Sequence, residues 1–165
     1  MSFSLIILAA GNSLRFRSKI GKPYQKRAGK SLIEINVDKA RKFNQIKKII
    51  LVHNKKDTKL AKSLKLKNVK LILGGKNRQQ SAFKALTHLI DVKKISKVLI
   101  HDVARPNFSL KLLGSIIKNM NNARAVIPKI NIQDAVKQKI DSSINEYILS
   151  RKSCPLYTSD AADNS

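Results

Sequence analysis

The chain has no tryptophan, a single cysteine, four prolines and only 10 acidic residues against 34 lysines and arginines. Each shortage excludes something. One cysteine, Cys154, cannot build a disulfide framework within a chain, which fits a reducing cytoplasm as the expected location. No apolar stretch approaches the ~20 residues that span a bilayer, so a membrane is not an expected partner. The opening SFSLIILAAG has an apolar centre and a small-residue end, but it lacks a basic leader and its apolar core is short. It reads as a first strand rather than a signal peptide. The acid deficit leaves a formal net charge of +24, a balance that ordinarily suggests nucleic acid. The scarcity of aromatics argues against that partner. At 5% Phe and Tyr there is no basic patch interleaved with rings on which bases could stack. The lysines are spread from Lys19 to Lys152 among many Ile and Asn, as a general compositional bias would spread them. Nucleic acid is therefore not expected as a partner, although the positive field would attract a nucleoside triphosphate or a sugar phosphate.

What is present is an alternation. Short apolar runs rich in Ile, Val and Leu stand at Leu5–Leu8, Ile49–Val52, Val69–Leu73, Val98–Ile100 and Ala125–Ile127, each bounded by loop residues. Between them the 3.6-residue apolar spacing predicts helices over Ser31–Lys42, Asp57–Leu66, Gln79–Ile90 and Ser109–Met120. Ser31 with Glu34 makes a capping-box pattern, and Ser109 is another N-cap candidate. Strand then helix, repeated, predicts a doubly wound α/β domain with a mostly parallel sheet. After Pro128 the rhythm changes. Ala135–Ile140 and Ile144–Leu149 read as two strands of a hairpin turning at Asp141–Ser143, a projecting β-arm over about residues 129–153. The expected domain covers residues 1–153. Residues 154–165, CPLYTSDAADNS, depart from the Lys/Ile/Asn composition, and LYTSDAAD resembles a translated sequencing-library transposon end, so the tail is expected to be foreign and the gene to continue past Ser153.

Three clusters carry chemistry. LAAGNSLRF (Leu8–Phe16) places small residues past the first strand, letting backbone N–H groups approach a triphosphate, with Arg15 adding a permanent charge and Lys22 following in a loop. It is neither a Walker A loop nor GxGxxG. GGKNRQQS (Gly74–Ser81) offers a turn in which Gly74 and Gly75 permit positive φ, followed by a hydroxyl at Ser81. An ordinary strand-to-helix turn would look the same, and a base-reading wall is the functional alternative. KVLIHDVARP (Lys97–Pro106) ends a strand on Asp102 and Arg105, a carboxylate and a guanidinium suited to a metal-bound phosphate.

AAGNSLR, Lys22, GGKNRQQS, HDVARP and QDAVK, in this order and spacing, resemble the 2-C-methyl-D-erythritol 4-phosphate cytidylyltransferases of the non-mevalonate isoprenoid pathway, from about Leu5 to Arg151. The resemblance implies a Rossmann-like, glycosyltransferase-A-like nucleotidyltransferase fold. It implies cytidylyl transfer from CTP to methylerythritol phosphate, with Mg2+ as the divalent cation. Carried onto this chain, it implies Arg15 and Lys22 as catalytic residues that stabilise the α-phosphoryl transition state. Ala9, Ala10 and Gly11 would give backbone contacts to the nucleotide, with Gly75 and Ser81 toward the cytosine. Asp102 would lie by the metal, the ribose and the substrate hydroxyls, and Arg105 would bind the polyol phosphate. Arg151 would contact the substrate phosphate from a dimerisation arm, which implies a homodimer. Several positions depart from the family pattern. Ser13 stands for a glycine, Lys76 for an acidic residue, Gly21-Lys22-Pro23 for Pro-Lys-Gln, and Ala135 for a threonine after Asp134. A second catalytic lysine and a further metal-side aspartate have no match before Ser153, so little activity is expected of the 165-residue chain itself. The alternatives are a cytidylyltransferase for another polyol phosphate such as ribitol phosphate, a parent fused to a cyclodiphosphate synthase, and a basic nucleic-acid-binding module.

Overall fold

A computed structural model describes residues 1–11, 20–90, 92, 95–130, 136–139, 146–149 and 156–157. The elements in chain order are β1 (Phe3–Ala9), β2 (Lys26–Arg27), β3 (Lys30–Ser31), α1 (Leu32–Arg41), β4 (Ile46–His53), α2 (Thr58–Ser63), β5 (Val69–Leu73), α3 (Arg78–Ile90), β6 (Lys97–Asp102), α4 (Leu110–Asn119), β7 (Lys129–Ile130), β8 (Val136–Lys139), β9 (Glu146–Leu149) and β10 (Leu156–Tyr157). They fall into two compact units, Met1–Pro106 and Asn107–Ser165.

The first unit is built on a four-stranded sheet in the order β5-β4-β1-β6, every pair parallel. Strand β1 is buried along its whole length, as a central parallel strand covered on both faces must be. Its register runs Ile6 to Ile50 on one side and Ile6 to Ile100 on the other. One face of the sheet presents Ile6, Leu8, Ile50 and Val52 to Ala82, Ala85 and Leu89 of α3. The alternate residues Leu5, Ile7 and Leu51 are buried too, and α1, which contacts β1 and β4 and buries Ile33, Val37 and Ala40, supplies the cover for them. Each such aliphatic side chain contributes about 1.5–3 kcal/mol by leaving water. The doubly wound α/β expectation therefore holds.

Local details follow sequence chemistry. The capping box at the start of α1 is complete: the Glu34 N–H donates to Ser31 Oγ at 3.2 Å, and the Ser31 N–H and hydroxyl both donate to Glu34 Oε2 at 2.7 Å. Helix α2 is shorter than its periodicity predicts and is preceded by a 3-10 turn at Lys55–Asp57. It stops because Lys65 takes a left-handed φ of 45°, followed by Asn68 at 57°. The β2–β3 hairpin is not among the elements that the sequence predicts. Its two central residues, Ala28 (φ 47°) and Gly29 (φ 81°), both adopt the positive φ that tight hairpins need, but Ala-Gly is not a strong hairpin signature.

In the second unit Ser109 caps α4, its Oγ accepting the Leu112 N–H at 3.0 Å. The expected strand at Ala125–Ile127 is a correction. Among the described residues no ladder forms there; Ala125 and Ile127 are exposed, and Pro128, without an N–H, stands directly before the two-residue strand β7. Strands β8 and β9 pair antiparallel from Val136–Leu149 to Lys139–Glu146, the hairpin expected of the arm. Strand β10, within the segment expected to be a foreign tail, pairs with β7.

Candidate active site

The strand order decides where a ligand can sit. From β1 the chain builds outward through β4 and β5, then returns to place β6 on the opposite side of β1. Ligand crevices in such sheets open at this reversal, outside the carboxyl ends of the strands. The carboxyl ends of β1, β4, β5 and β6 carry Ala9–Gly11, His53–Asn54, Gly74–Ser81 and Asp102–Arg105 respectively.

These turns are tied to one another. Asn54 Nδ2 donates to the Ala10 carbonyl at 3.3 Å, the Gly74 N–H donates to the His53 carbonyl at 2.9 Å, and the Val103 N–H donates to the Leu8 carbonyl at 3.1 Å. Ala9 is buried within the ladder, whereas Gly11 is exposed and a Cβ there would meet nothing within 4 Å.

At Gly74 and Gly75 the expectation of positive φ is corrected, since Gly29 is the one glycine with positive φ among the described residues. The requirement is space. A Cβ on Gly74 would collide with the Ala10 Cβ and lie 3.0 Å from Ser81 Oγ, and one on Gly75 would collide with Gln80. Ser81 is 4% exposed and accepts the Gly75 N–H at 3.0 Å. The loop itself thus occupies one of its two acceptor positions. Asn77 caps α3, its Oδ1 accepting the Gln80 N–H at 2.8 Å. Lys76, where the family has an acid, is exposed, and its N–H donates to Gln80 Oε1 at 2.9 Å.

Asp102 is the last residue of β6, and its Oδ1 accepts from Arg78 Nε at 2.9 Å. Sequence reasoning misses Arg78 as a site residue, although it lies inside GGKNRQQS. Only the sheet brings positions 78 and 102 together. Beyond Asp102 the chain turns tightly, with the Arg105 N–H donating to the Asp102 carbonyl at 3.1 Å. Lys22 opens a 3-10 turn, Lys22–Tyr24, and is exposed while Pro23 and Tyr24 are buried. Burial, reinforced by the nearby Asp57 carboxylate, pushes the Tyr24 phenol above its usual range. Arg15 and Arg151 lie outside the described residues, as do Ser13, Asp134 and Ala135.

A carboxylate paired with a guanidinium and two glycines without room for a side chain stand at this edge of the sheet with the exposed Gly11, and groups of these kinds can bind phosphate oxygens. Among the described residues no group of three or more His, Cys, Asp or Glu gathers as a protein-only metal cage. No helix among them is long and apolar enough to cross a membrane.

The sequence model of the 2-C-methyl-D-erythritol 4-phosphate cytidylyltransferase (IspD) family matches residues 3–151. The chain belongs to this family. It is 45% identical over 144 residues to the bifunctional enzyme IspD/IspF of Pelagibacter ubique, covering 87% of this chain and 38% of that one. It is 34% identical over 136 residues to the 2-C-methyl-D-erythritol 4-phosphate cytidylyltransferase of Thermosipho melanesiensis, covering 79% and 60%. The chain thus spans less than two thirds of the length of each of these relatives. Among solved structures, the 4-diphosphocytidyl-2C-methyl-D-erythritol synthase of Anaerococcus prevotii superposes with a TM-score of 0.79 at 29% identity, covering 94% of this chain and 68% of that one. The bifunctional IspDF of Campylobacter jejuni gives 0.77 at 30% identity, covering 95% and 39%. Family membership makes the expected nucleotidyltransferase fold a finding.

Proposed function

We propose that this chain carries the nucleotide-binding edge of an enzyme that transfers a cytidylyl group from CTP to 2-C-methyl-D-erythritol 4-phosphate, releasing pyrophosphate. The observation that carries the reading is the convergence of Ala9–Gly11, Gly74–Ser81 and Asp102–Arg105 at the reversal point of the sheet. In the reaction an oxygen of the substrate phosphate attacks the α-phosphorus of CTP in line, a new P–O–P bond forms, and the bond to the β-phosphate oxygen breaks. No general base is needed, because a phosphate monoester is already an anionic nucleophile at neutral pH. Catalysis is then positioning and charge stabilisation.

Arg15 and Lys22 neutralise the charge that crowds the α-phosphoryl group. Gly11 and its neighbours Ala9 and Ala10 bring backbone to the nucleotide. The Gly75 loop, held by Ser81, faces the cytosine, and Arg105 binds the phosphate of the polyol, with Arg151 approaching from the arm of a second subunit in a homodimer. Asp102 fits a site for a divalent cation, since Mg2+ is held by one or two carboxylates together with substrate phosphates rather than by an all-protein cage. Bound there, Mg2+ would screen the triphosphate charge and polarise its oxygens. Arg78, now on Asp102, would share that carboxylate or yield it.

The 165-residue chain is expected to bind CTP with little turnover, because the family's second catalytic lysine has no match in it. Calorimetry with CTP, UTP and ATP, followed by pyrophosphate release with CTP, Mg2+ and methylerythritol phosphate, tests both halves. Indifference among the three nucleotides would sink the cytidylyl reading, and turnover near that of the Thermosipho melanesiensis relative would sink the low-activity expectation.

A further inference from the structure

The turn that follows β6 is held by side chains to which the proposed reaction assigns no role. Helix α1 reaches it twice. Asn36 is fully buried and its Nδ2 donates to two carbonyls, Leu32 at 2.7 Å in its own helix and Val103 at 3.2 Å in the turn. Its orientation is fixed by chemistry, because the opposite flip would face Oδ1 toward two carbonyl oxygens. One turn further along α1, the half-buried Lys39 donates from Nζ to the Pro106 carbonyl at 2.6 Å. Between these two points, His101 Nε2 lies 3.0 Å from the Arg105 carbonyl, and since a carbonyl only accepts, the ring carries its proton on Nε2. The carbonyls of Val103, Arg105 and Pro106 are thus each engaged by a side chain. A peptide turn pinned at three carbonyls has little freedom to rotate the residues it displays.

We propose that Lys39 and Asn36 are positioning residues, which clamp the backbone of the Asp102–Pro106 turn from α1 and thereby fix where Asp102 and Arg105 meet the substrate. The role rests on the function proposed above, but the clamp can be read without any ligand. The Arg105 amide, which closes the turn on the Asp102 carbonyl, reports the turn; the Val103 amide, bonded to Leu8 in β1, reports the sheet.

Lys39→Met removes the cation at nearly constant length, and Lys39→Arg returns a donor. Hydrogen exchange followed by NMR on the 165-residue chain should show the Arg105 amide opening ~10-fold faster in Lys39→Met, with Val103 unchanged and wild-type behaviour restored in Lys39→Arg. Methylerythritol phosphate titrated in the presence of CTP should bind Lys39→Met ~10-fold more weakly and Lys39→Arg as wild type. Asn36→Leu should act in the same direction on Arg105. Unchanged Arg105 exchange in Lys39→Met would overturn the clamp, and so would faster exchange that left affinity for methylerythritol phosphate intact. If the wild-type chain bound no methylerythritol phosphate, the proposed function would fail, and the ligand-free exchange comparison would still decide the clamp.

Discussion

Two neighbouring turns at the carboxyl edge of the sheet are stabilised in opposite ways. The turn after β5 is held mainly by its own residues. Beside the Gly74 N–H bond to the His53 carbonyl, its bonds run from Gly75 to Ser81, from Lys76 to Gln80 and from Gln80 to Asn77, and its glycines are there because Ala10 and Gln80 leave no room for a Cβ. The turn after β6 is held largely from elsewhere, by Asn36 and Lys39 on a helix 67 residues earlier in the chain. One is a local, sterically dictated loop. The other is a display surface fixed by tertiary contacts, and changes to the two should produce different kinds of failure.

The largest effect is expected at the local turn. Gly74→Val forces a branched side chain into the Ala10 Cβ and Ser81 Oγ, and should cost about 3 kcal/mol or more of unfolding free energy in a urea titration. A Gly74→Val chain as stable as wild type would show that the turn is far looser than its packing implies. Next comes Ser81→Ala. It leaves the Gly75 N–H without its acceptor in a partly buried loop and should cost about 1–2 kcal/mol. If the comparison is right, neither change should alter exchange of the Arg105 amide beyond the global loss of stability.

The same contrast explains which features are legible in the amino-acid sequence. Strand and helix order is legible because each run carries its own periodicity, and so is the capping box, whose partners Ser31 and Glu34 are three residues apart. GGKNRQQS can be singled out as a turn, yet the reason for its glycines is hidden: the obstructing atom belongs to Ala10, on another strand's turn. Arg78, Asn36 and Lys39 carry no local signal at all. An asparagine inside an amphipathic helix and a lysine among 34 basic residues look like background until the sheet sets them against Val103 and Pro106. The strand expected at Ala125–Ile127 fails for the complementary reason, because apolar composition does not provide a ladder partner.

A smaller effect should be seen where α1 begins, since the clamp on the β6 turn depends on that helix. Ser31→Ala removes the cap and should cost about 1 kcal/mol at neutral pH. Hydrogen bonds from the Ser31 hydroxyl and N–H hold the Glu34 carboxyl below its usual range. A carboxylate with a depressed folded-state pKa stabilises the fold fully above its unfolded pKa, and that contribution fades as pH falls through the folded value. The difference between wild type and Ser31→Ala should therefore shrink on acidification below the ordinary carboxylate range, measured by thermal unfolding at stepped pH. A difference that grew in acid would reverse the assigned sign.

The smallest expected effect on stability lies at the ion pair between the two turns, Arg78 with Asp102. Its side chains are 62% and 34% exposed, so water and salt screen it, and Arg78→Gln should shift unfolding by no more than about 1 kcal/mol. A double-mutant cycle with Asp102→Asn should give a coupling of about a few tenths of a kcal/mol at low salt that vanishes near 1 M NaCl, where the screening length falls to about 3 Å. The functional consequence should be disproportionate. With its guanidinium partner gone, Asp102 is a freer carboxylate at the edge of the proposed triphosphate site, so the Mg2+ dependence of CTP binding should move to lower Mg2+ in Arg78→Gln while the unfolding midpoint hardly moves. An unchanged Mg2+ dependence, measured by calorimetry on the same preparation, would mean that Arg78 does not compete for Asp102 and that the two turns work independently.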